Sequence, residues 1–276
     1  MRAYLKNAAL FIALLVSSSA VSYSQSLEIP DLNKGFQAMV RGNYTEALDH
    51  FQPLAEQGNS SAQFPLGQMY YFGQGVAQDY QTAAKWFSLA AEQGHVNAQT
   101  MLGVLYQGGM GVKKDPKTGA KWYLLAAQQG NAVAQFYLGI AYDRGQGVVQ
   151  NYETAVQWYS LAAEQGNSKA QAQLGAMYHT GTGVRQNYET AIIWLKRAAE
   201  QGIVAAQAMV GSMYLLGQGV PQSDIRAHMW ANIAVSNGYE KAVLDRDLVS
   251  GRMTPADISK AQKMAQECVE KNYKGC

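Results

Sequence analysis

Residues 131–166 read NAVAQFYLGIAYDRGQGVVQNYETAVQWYSLAAEQG, and this stretch decides the fold. It divides into two amphipathic segments around a glycine loop. In the first, about Ala132–Asp143, the residues Ala134, Leu138 and Tyr142 fall at i, i+4 and i+8 and share one helix face. Gly139 sits about 100° round from Leu138. A bare Cα there lets a partner helix come close, despite a cost of ~1 kcal/mol for glycine in a helix interior. The loop Gly145-Gln146-Gly147-Val148 supplies positive φ without a Cβ penalty, and Val148 is placed to plug the core between the two segments. Asn151 caps the second helix with a side-chain oxygen. That helix runs to about Gln165, with Ala155, Trp158 and Ala162 turned inward, and Gly166 ends it as a left-handed cap.

The same stretch recurs along the chain. Trp86, Trp122, Trp158, Trp194 and Trp230 are successive tryptophans at a constant step of 36 residues, and they are all five in the chain. Gly58, Gly94, Gly130, Gly166, Gly202 and Gly238 keep that step, as do Tyr70, Tyr106, Tyr142, Tyr178 and Tyr214. The pairs Leu66-Gly67, Leu102-Gly103, Leu138-Gly139 and Leu174-Gly175 and the pairs from Ala62-Gln63 to Ala206-Gln207 stay in phase with them. Neither helix of a unit can bury its apolar stripe alone, so stacked neighbours must do it. The expected architecture is all-α: a solenoid of five full units over 59–238, preceded by a shortened unit at 34–58 and a short linker at 25–33. The shortened unit has His50 where the others have Trp. Residues 239–276 read as a helical end cap. There Thr254 is an N-cap, Pro255 the first helical residue and Asp257 the third, while Ala261, Met264, Ala265 and Cys268 share a face.

Residues 1–24 read as a signal peptide: Arg2 and Lys6, then an apolar stretch over Ala8–Val16, then small residues with cleavage after Ser24 or after Ala20. The apolar stretch is shorter than the ~20 residues a bilayer requires, so the chain is not expected to span a membrane. Periplasmic localisation follows, with secretion as the further option. In that oxidising setting Cys268 and Cys276 are expected to form a disulfide. The chain has 276 residues with 22 Lys+Arg against 20 Asp+Glu, and no contiguous basic run. A nucleic-acid surface is therefore not expected.

The string A-x-x-x-L-G-x-x-Y-x-x-G-x-G-V, followed about ten residues later by A-x-x-W-x-x-x-A-A-x-Q-G, resembles the Sel1-like repeat, a relative of the tetratricopeptide repeat. Departures are Val210 for Leu, Gly119 for Ala, and Asn151, Asn187 and Ser223 in the column of Asp79 and Asp115. The resemblance covers about 34–250. It implies a right-handed α-superhelix that binds other proteins in envelope, signalling or host-contact roles. One cysteine-rich branch of that family has been linked to β-lactam binding and hydrolysis. It carries a cysteine pair in each repeat, and the five full units here carry none.

Catalytic chemistry has little to stand on in this sequence. His50, His95, His179 and His228 occupy four different columns, with no His-Glu-x-x-His or Cys-x-x-Cys spacing, so no metal site is expected. The Gly-x-Gly loops follow helices and lack the Gly-Lys-Ser/Thr ending of a phosphate loop, and no Gly-x-Ser-x-Gly is present. No cofactor is expected. The leading reading is a non-catalytic scaffold expected to act as a monomer, with a weak envelope enzyme of β-lactam-binding or peptidoglycan-active type as the alternative. In a solenoid the fixed columns hold the fold and the variable ones are free to bind. With the first helices lining the concave side, as in related repeats, the side away from the core in unit 131–166 carries Phe136, Ile140 and Asp143, flanked by Tyr137 and Arg144. Equivalent positions elsewhere include Phe64, Gln68, Tyr71, Val104 and His179. Aromatic anchors beside polar groups suit the grip of a partner protein or peptide.

Overall fold

A computed structural model describes residues 30–276, and within them every regular element is a helix. Six helix pairs come first. Their first helices are α1 (Leu32–Val40), α3 (Ser60–Phe72), α5 (Val96–Gly108), α7 (Ala132–Arg144), α9 (Ser168–Thr180) and α11 (Val204–Leu216). Their second helices are α2 (Tyr44–Glu56), α4 (Tyr80–Glu92), α6 (Pro116–Gln128), α8 (Tyr152–Glu164), α10 (Tyr188–Ala199) and α12 (Asp224–Ser236). Two cap helices follow, α13 (Ala242–Ser250) and α14 (Pro255–Glu270). Each helix packs on its neighbours in chain order, so the array is a solenoid with a continuous core rather than a globule with one centre. The expected signal peptide lies outside the described residues. The linker expected at 25–33 ends earlier than the sequence suggested, because Asp31 already caps α1 by accepting from the N–H groups of Asn33 and Lys34.

Local sequence sets the helix ends. Asn131 accepts from Ala134 N–H, Asn151 from Thr154 N–H and Thr254 from Asp257 N–H, each satisfying a free donor of a first turn. Gly145 takes φ +66° as the left-handed cap of α7. Gly147, at φ +80°, lies so close to the Pro116 carbonyl at the start of α6 that any Cβ would collide with it. The second loop glycine is thus an inter-repeat contact as well as a turn.

The packing corrects one sequence expectation. Trp86, Trp122, Trp158 and Trp194 are only half-buried, and Trp230 alone is 0% exposed. The deepest side chain of each second helix is the next residue: Phe51, Phe87, Tyr123, Tyr159 and Leu195 are all buried. Each lies on the glycine of the preceding first helix. A Cβ on Gly139 would sit 2.6 Å from the Tyr159 ring, and one on Gly67 2.7 Å from Phe87. The bare Cα therefore admits a ring, where the spacing had suggested a closely approaching helix. In the sixth pair Ala231 follows the tryptophan, and Trp230 itself fills the core in one cluster with Val249, Ala265 and Cys268 of the cap.

Glutamines fasten one pair to the next. Gln165 Nε2 donates to Gln135 Oε1 at 2.7 Å, and Gln135 Nε2 donates to the Ala127 carbonyl at 3.2 Å. Three helices (α6, α7 and α8) are joined by two side chains. The arrangement repeats at Gln63, Gln99, Gln171 and Gln207, with Asn237 supplying the last donor. The two ends of the array differ. On α1, Lys34 and Gln37 stand where α3 buries Leu66 and Met69, and Phe36 and Val40 are exposed beside them. At the other end α14 covers Met229 and Ile233 of α12. Cys268 and Cys276 Sγ lie 2.05 Å apart, at disulfide separation.

Candidate interaction face

The residues singled out on the first helices fall on one side of the array, at different depths. Gln68, Val104 and Ile140 are half-buried at the same position of α3, α5 and α7. Phe64 is half-buried between two rings, 4.7 Å from His95 in a stack and 5.8 Å from Phe87. Tyr137 stacks on Tyr123 at 5.2 Å and keeps one side open. Phe136 is only 8% exposed and packs against Tyr159 at 6.0 Å, so it forms the floor of this face rather than a protruding anchor. Arg144 is exposed at the end of α7.

The column Tyr71, Gln107, Asp143 and His179 runs along the rim of this face, and it already does structural work. The Tyr71 hydroxyl lies 4.0 Å from Met110 Sδ, Gln107 Nε2 donates to Gln146 Oε1 at 2.7 Å, and His179 Nε2 pairs with Gln218 Oε1 at 2.9 Å. Each contact spans 39 residues, from a first-helix end to the loop of the next unit. Burial pushes the Tyr71 hydroxyl up from its ordinary value, with Tyr80 and Tyr137 adding to the shift. Tyr159 is pushed up further by burial, and the Asp143 carboxylate adds to it. Both phenols stay protonated and neutral at ordinary pH. The sequence offered no sign of this loop contact, because its donors and acceptors change from unit to unit while only their spacing persists.

Between α7 and α9 the face opens into a hollow of about 360 Å³, lined by Val133, Phe136, Tyr137, Asn167, Lys169 and Gln201. A larger hollow of about 450 Å³ lies at the cap, where it is crossed by the Arg252–Asp224 ion pair at 2.7 Å. Charge on the first-helix face is sparse. Asp143, Arg144 and Lys169 are the ionised groups near its centre, set among aromatic and amide side chains. Such a face suits a partner segment with apolar anchors and few charges. Among the described residues no three of His, Cys, Asp and Glu converge closely enough to hold a metal ion, and no helix is long and apolar enough to cross a membrane.

Known proteins place this geometry. The Sel1 repeat matches six times, over residues 32–59, 60–95, 96–131, 132–167, 168–203 and 204–239. The shortened first unit therefore counts as a repeat. The crystal structure of a Sel1 repeat protein from Oxalobacter formigenes is similar over 89% of this chain and 100% of its own, with 33% identity and a TM-score of 0.73. A protective antigen of uropathogenic Escherichia coli with an SLR fold matches at 24% identity and a TM-score of 0.44, covering 88% of this chain and 77% of its own. A Sel1 repeat protein from Klebsiella pneumoniae matches at 22% identity and a TM-score of 0.46, covering 72% of this chain and 97% of its own. Only the first of these bears on the argument. No curated protein matches the chain.

Proposed function

The chain belongs to the Sel1 repeat family, and from that premise we propose that it is an exported, non-catalytic scaffold that holds a protein or peptide along the concave face of its first helices. Sel1 repeat proteins are in general protein-interaction scaffolds, and protein partners follow from the family. The observation that carries the finer reading is the half-open lining of Phe64, Tyr71, Tyr137 and Ile140 beside Asp143, Arg144 and His179. Aromatic side chains held rigid by stacking lose little freedom on binding, which makes them effective anchors. Charged residues at the rim set orientation and specificity more than affinity.

Export to the periplasm is the setting in this reading. The signal-like segment at 1–24 and the Cys268–Cys276 pair both support it, since thiols at that separation close in an oxidising compartment. The protein acts as a monomer in this reading, with Lys34 and Gln37 among the exposed residues of α1 and α12 covered by the cap. The test is a variant with Tyr71→Ala, Tyr137→Ala and Arg144→Ala, leaving the buried Phe136 intact. It should lose capture of the partner that the wild-type protein retains from envelope extract, while its helical circular dichroism is unchanged. A folded variant that captures the same partner equally well would refute the concave face as the binding surface.

A further inference from the structure

Five lysines, four of them within residues 113–121, lie in the second and third Sel1 repeats, with Lys85, Lys117 and Lys121 on second helices and Lys114 beside Gly109 at the end of α5. Lys85 stands on α4, Lys113 and Lys114 in the loop before α6, and Lys117 and Lys121 on α6. Gly111 lies against the Tyr80 carbonyl, which seats that loop on the first turn of α4. Lys117 and Lys121 are one turn apart and share a helix face. Lys121 occupies on α6 the position Lys85 occupies on α4, one repeat on. All five are exposed, and none lies within ion-pair distance of a carboxylate. The nearest acids are already engaged: Asp79 and Asp115 cap their helices and accept from the Thr82 and Thr118 hydroxyls at 2.6 and 2.7 Å. Residues 79–127 carry these five lysines against Asp79, Glu92 and Asp115, a local +2 that equals the net charge of the whole chain.

The patch departs from the repeat in a way the fold does not need. Gln78, Gln150 and Gln186 each donate to a first-helix carbonyl and to a tyrosine hydroxyl two residues ahead. In the 96–131 repeat Lys114 and Pro116 take the places of that glutamine and tyrosine, so both bonds are given up for positive charge. One turn beyond Lys85, Lys121 and Gln157 stand Leu89, Leu125 and Leu161, exposed to 44, 43 and 44% on the same second helices. The patch has edges: Asp49 holds the column of Lys85 on α2, and Glu153 that of Lys117 on α8.

We propose that this second-helix surface docks peripherally on an anionic lipid bilayer, with the lysines at the headgroup phosphates and the leucines at the acyl boundary. Lysine is a hydrated point charge on a long flexible stem, suited to a diffuse anionic surface, whereas geometric recognition of a carboxylate favours the arginine fork. Residues 80–127 contain no arginine. Interleaved leucines add apolar area that an acidic soluble partner would not require, and a row of basic and apolar side chains on helices is the pattern of interfacial binding. Lys85, Lys117, Lys121 and the leucines stand on second helices, apart from the first-helix residues, so the proposal stands whether or not those residues bind a peptide.

Sedimentation with phosphatidylglycerol–phosphatidylcholine vesicles tests it. The mature protein should bind these vesicles at low salt, release at high salt, and ignore pure phosphatidylcholine. Lys85→Gln, Lys117→Gln and Lys121→Gln together should lower the affinity by about tenfold or more with an unchanged melting temperature. Leu89→Ser with Leu125→Ser should weaken binding while preserving its salt dependence. Absence of binding by the wild-type protein, or equal binding by either variant, overturns the proposal. So does capture by soluble polyglutamate with no binding to the vesicles, which would make the patch a site for acidic protein.

Discussion

Tyr159 carries its ring against Gly139, and the same seat is taken by Phe51, Phe87, Tyr123 and Leu195 in their own repeats. The tryptophan one position earlier lies at the edge of the core in four of the six pairs and at its centre only at Trp230. Truncating a fully buried indole costs ~3–5 kcal/mol through lost burial and a cavity, and a half-buried one considerably less because the site is already partly hydrated. Trp230→Ala should therefore lower stability in urea by about 3–5 kcal/mol, and Trp158→Ala by roughly half of that or less. Equal losses for the two would contradict this division of the core. Identity across repeats made the tryptophans conspicuous in the sequence. The seat beside them varies among Phe, Tyr, Leu and Ala, because a glycine opposite accepts any apolar shape that fills the gap, so identity could not reveal it. Gly139 itself was legible as a place of close approach, but not what approaches.

At the scale of the helix, ends and junctions are set by small polar side chains. Helix lengths were readable because caps, glycines and apolar period agree: α7 was expected at about 132–143 and spans Ala132–Arg144. The glutamine junctions were visible only as columns, since their meaning lies in bonds that cross repeats. Two of the later first helices depart from the asparagine cap: α11 starts at Ile203 with no side-chain cap bond, and α5 at a histidine. α3, α7 and α9 start at Asn59, Asn131 and Asn167, whereas α5 starts at His95, whose Nδ1 accepts from Ala98 N–H at 3.3 Å. An imidazolium cannot accept that bond, and it would place positive charge at the positive end of a helix. Burial lowers the pKa of His95 below its ordinary 6.5. The folded state then binds this proton less readily than the unfolded chain. Its contribution is fully present above pH 6.5 and is lost as pH falls through the lowered value. His95→Asn should keep the stability at pH 8 within about 1 kcal/mol and flatten the decline of melting temperature on acidification. A decline as steep as that of the wild-type protein would show that His95 is not an acid-sensitive cap.

For the whole molecule, stacking leaves two long surfaces and two unlike ends. Five full repeats and a shortened first unit were plain from the 36-residue step, because a solenoid writes its architecture into the sequence at short range, and the family match counts the shortened unit as a sixth repeat. The surfaces were less legible. Counting helix turns picked out the first-helix side but could not separate Phe136, covered by Tyr159, from Tyr137, which keeps an open side, because that depends on how tightly neighbouring repeats close. Tyr71 and His179 were expected to be free for a partner, and each also ties its own repeat to the next loop. The lysine patch joins Lys85 to the 113–121 stretch one repeat on, and that juxtaposition depends on how the repeats stack. The central claim is that the first-helix side is where a partner protein sits. Photo-crosslinking in cells tests it most directly, with a photoreactive residue at Ile140 on that side and another at Ile193 on a second helix. A discrete protein adduct at Ile140 with none at Ile193 is the result expected. An adduct at Ile193 with none at Ile140 would contradict the account.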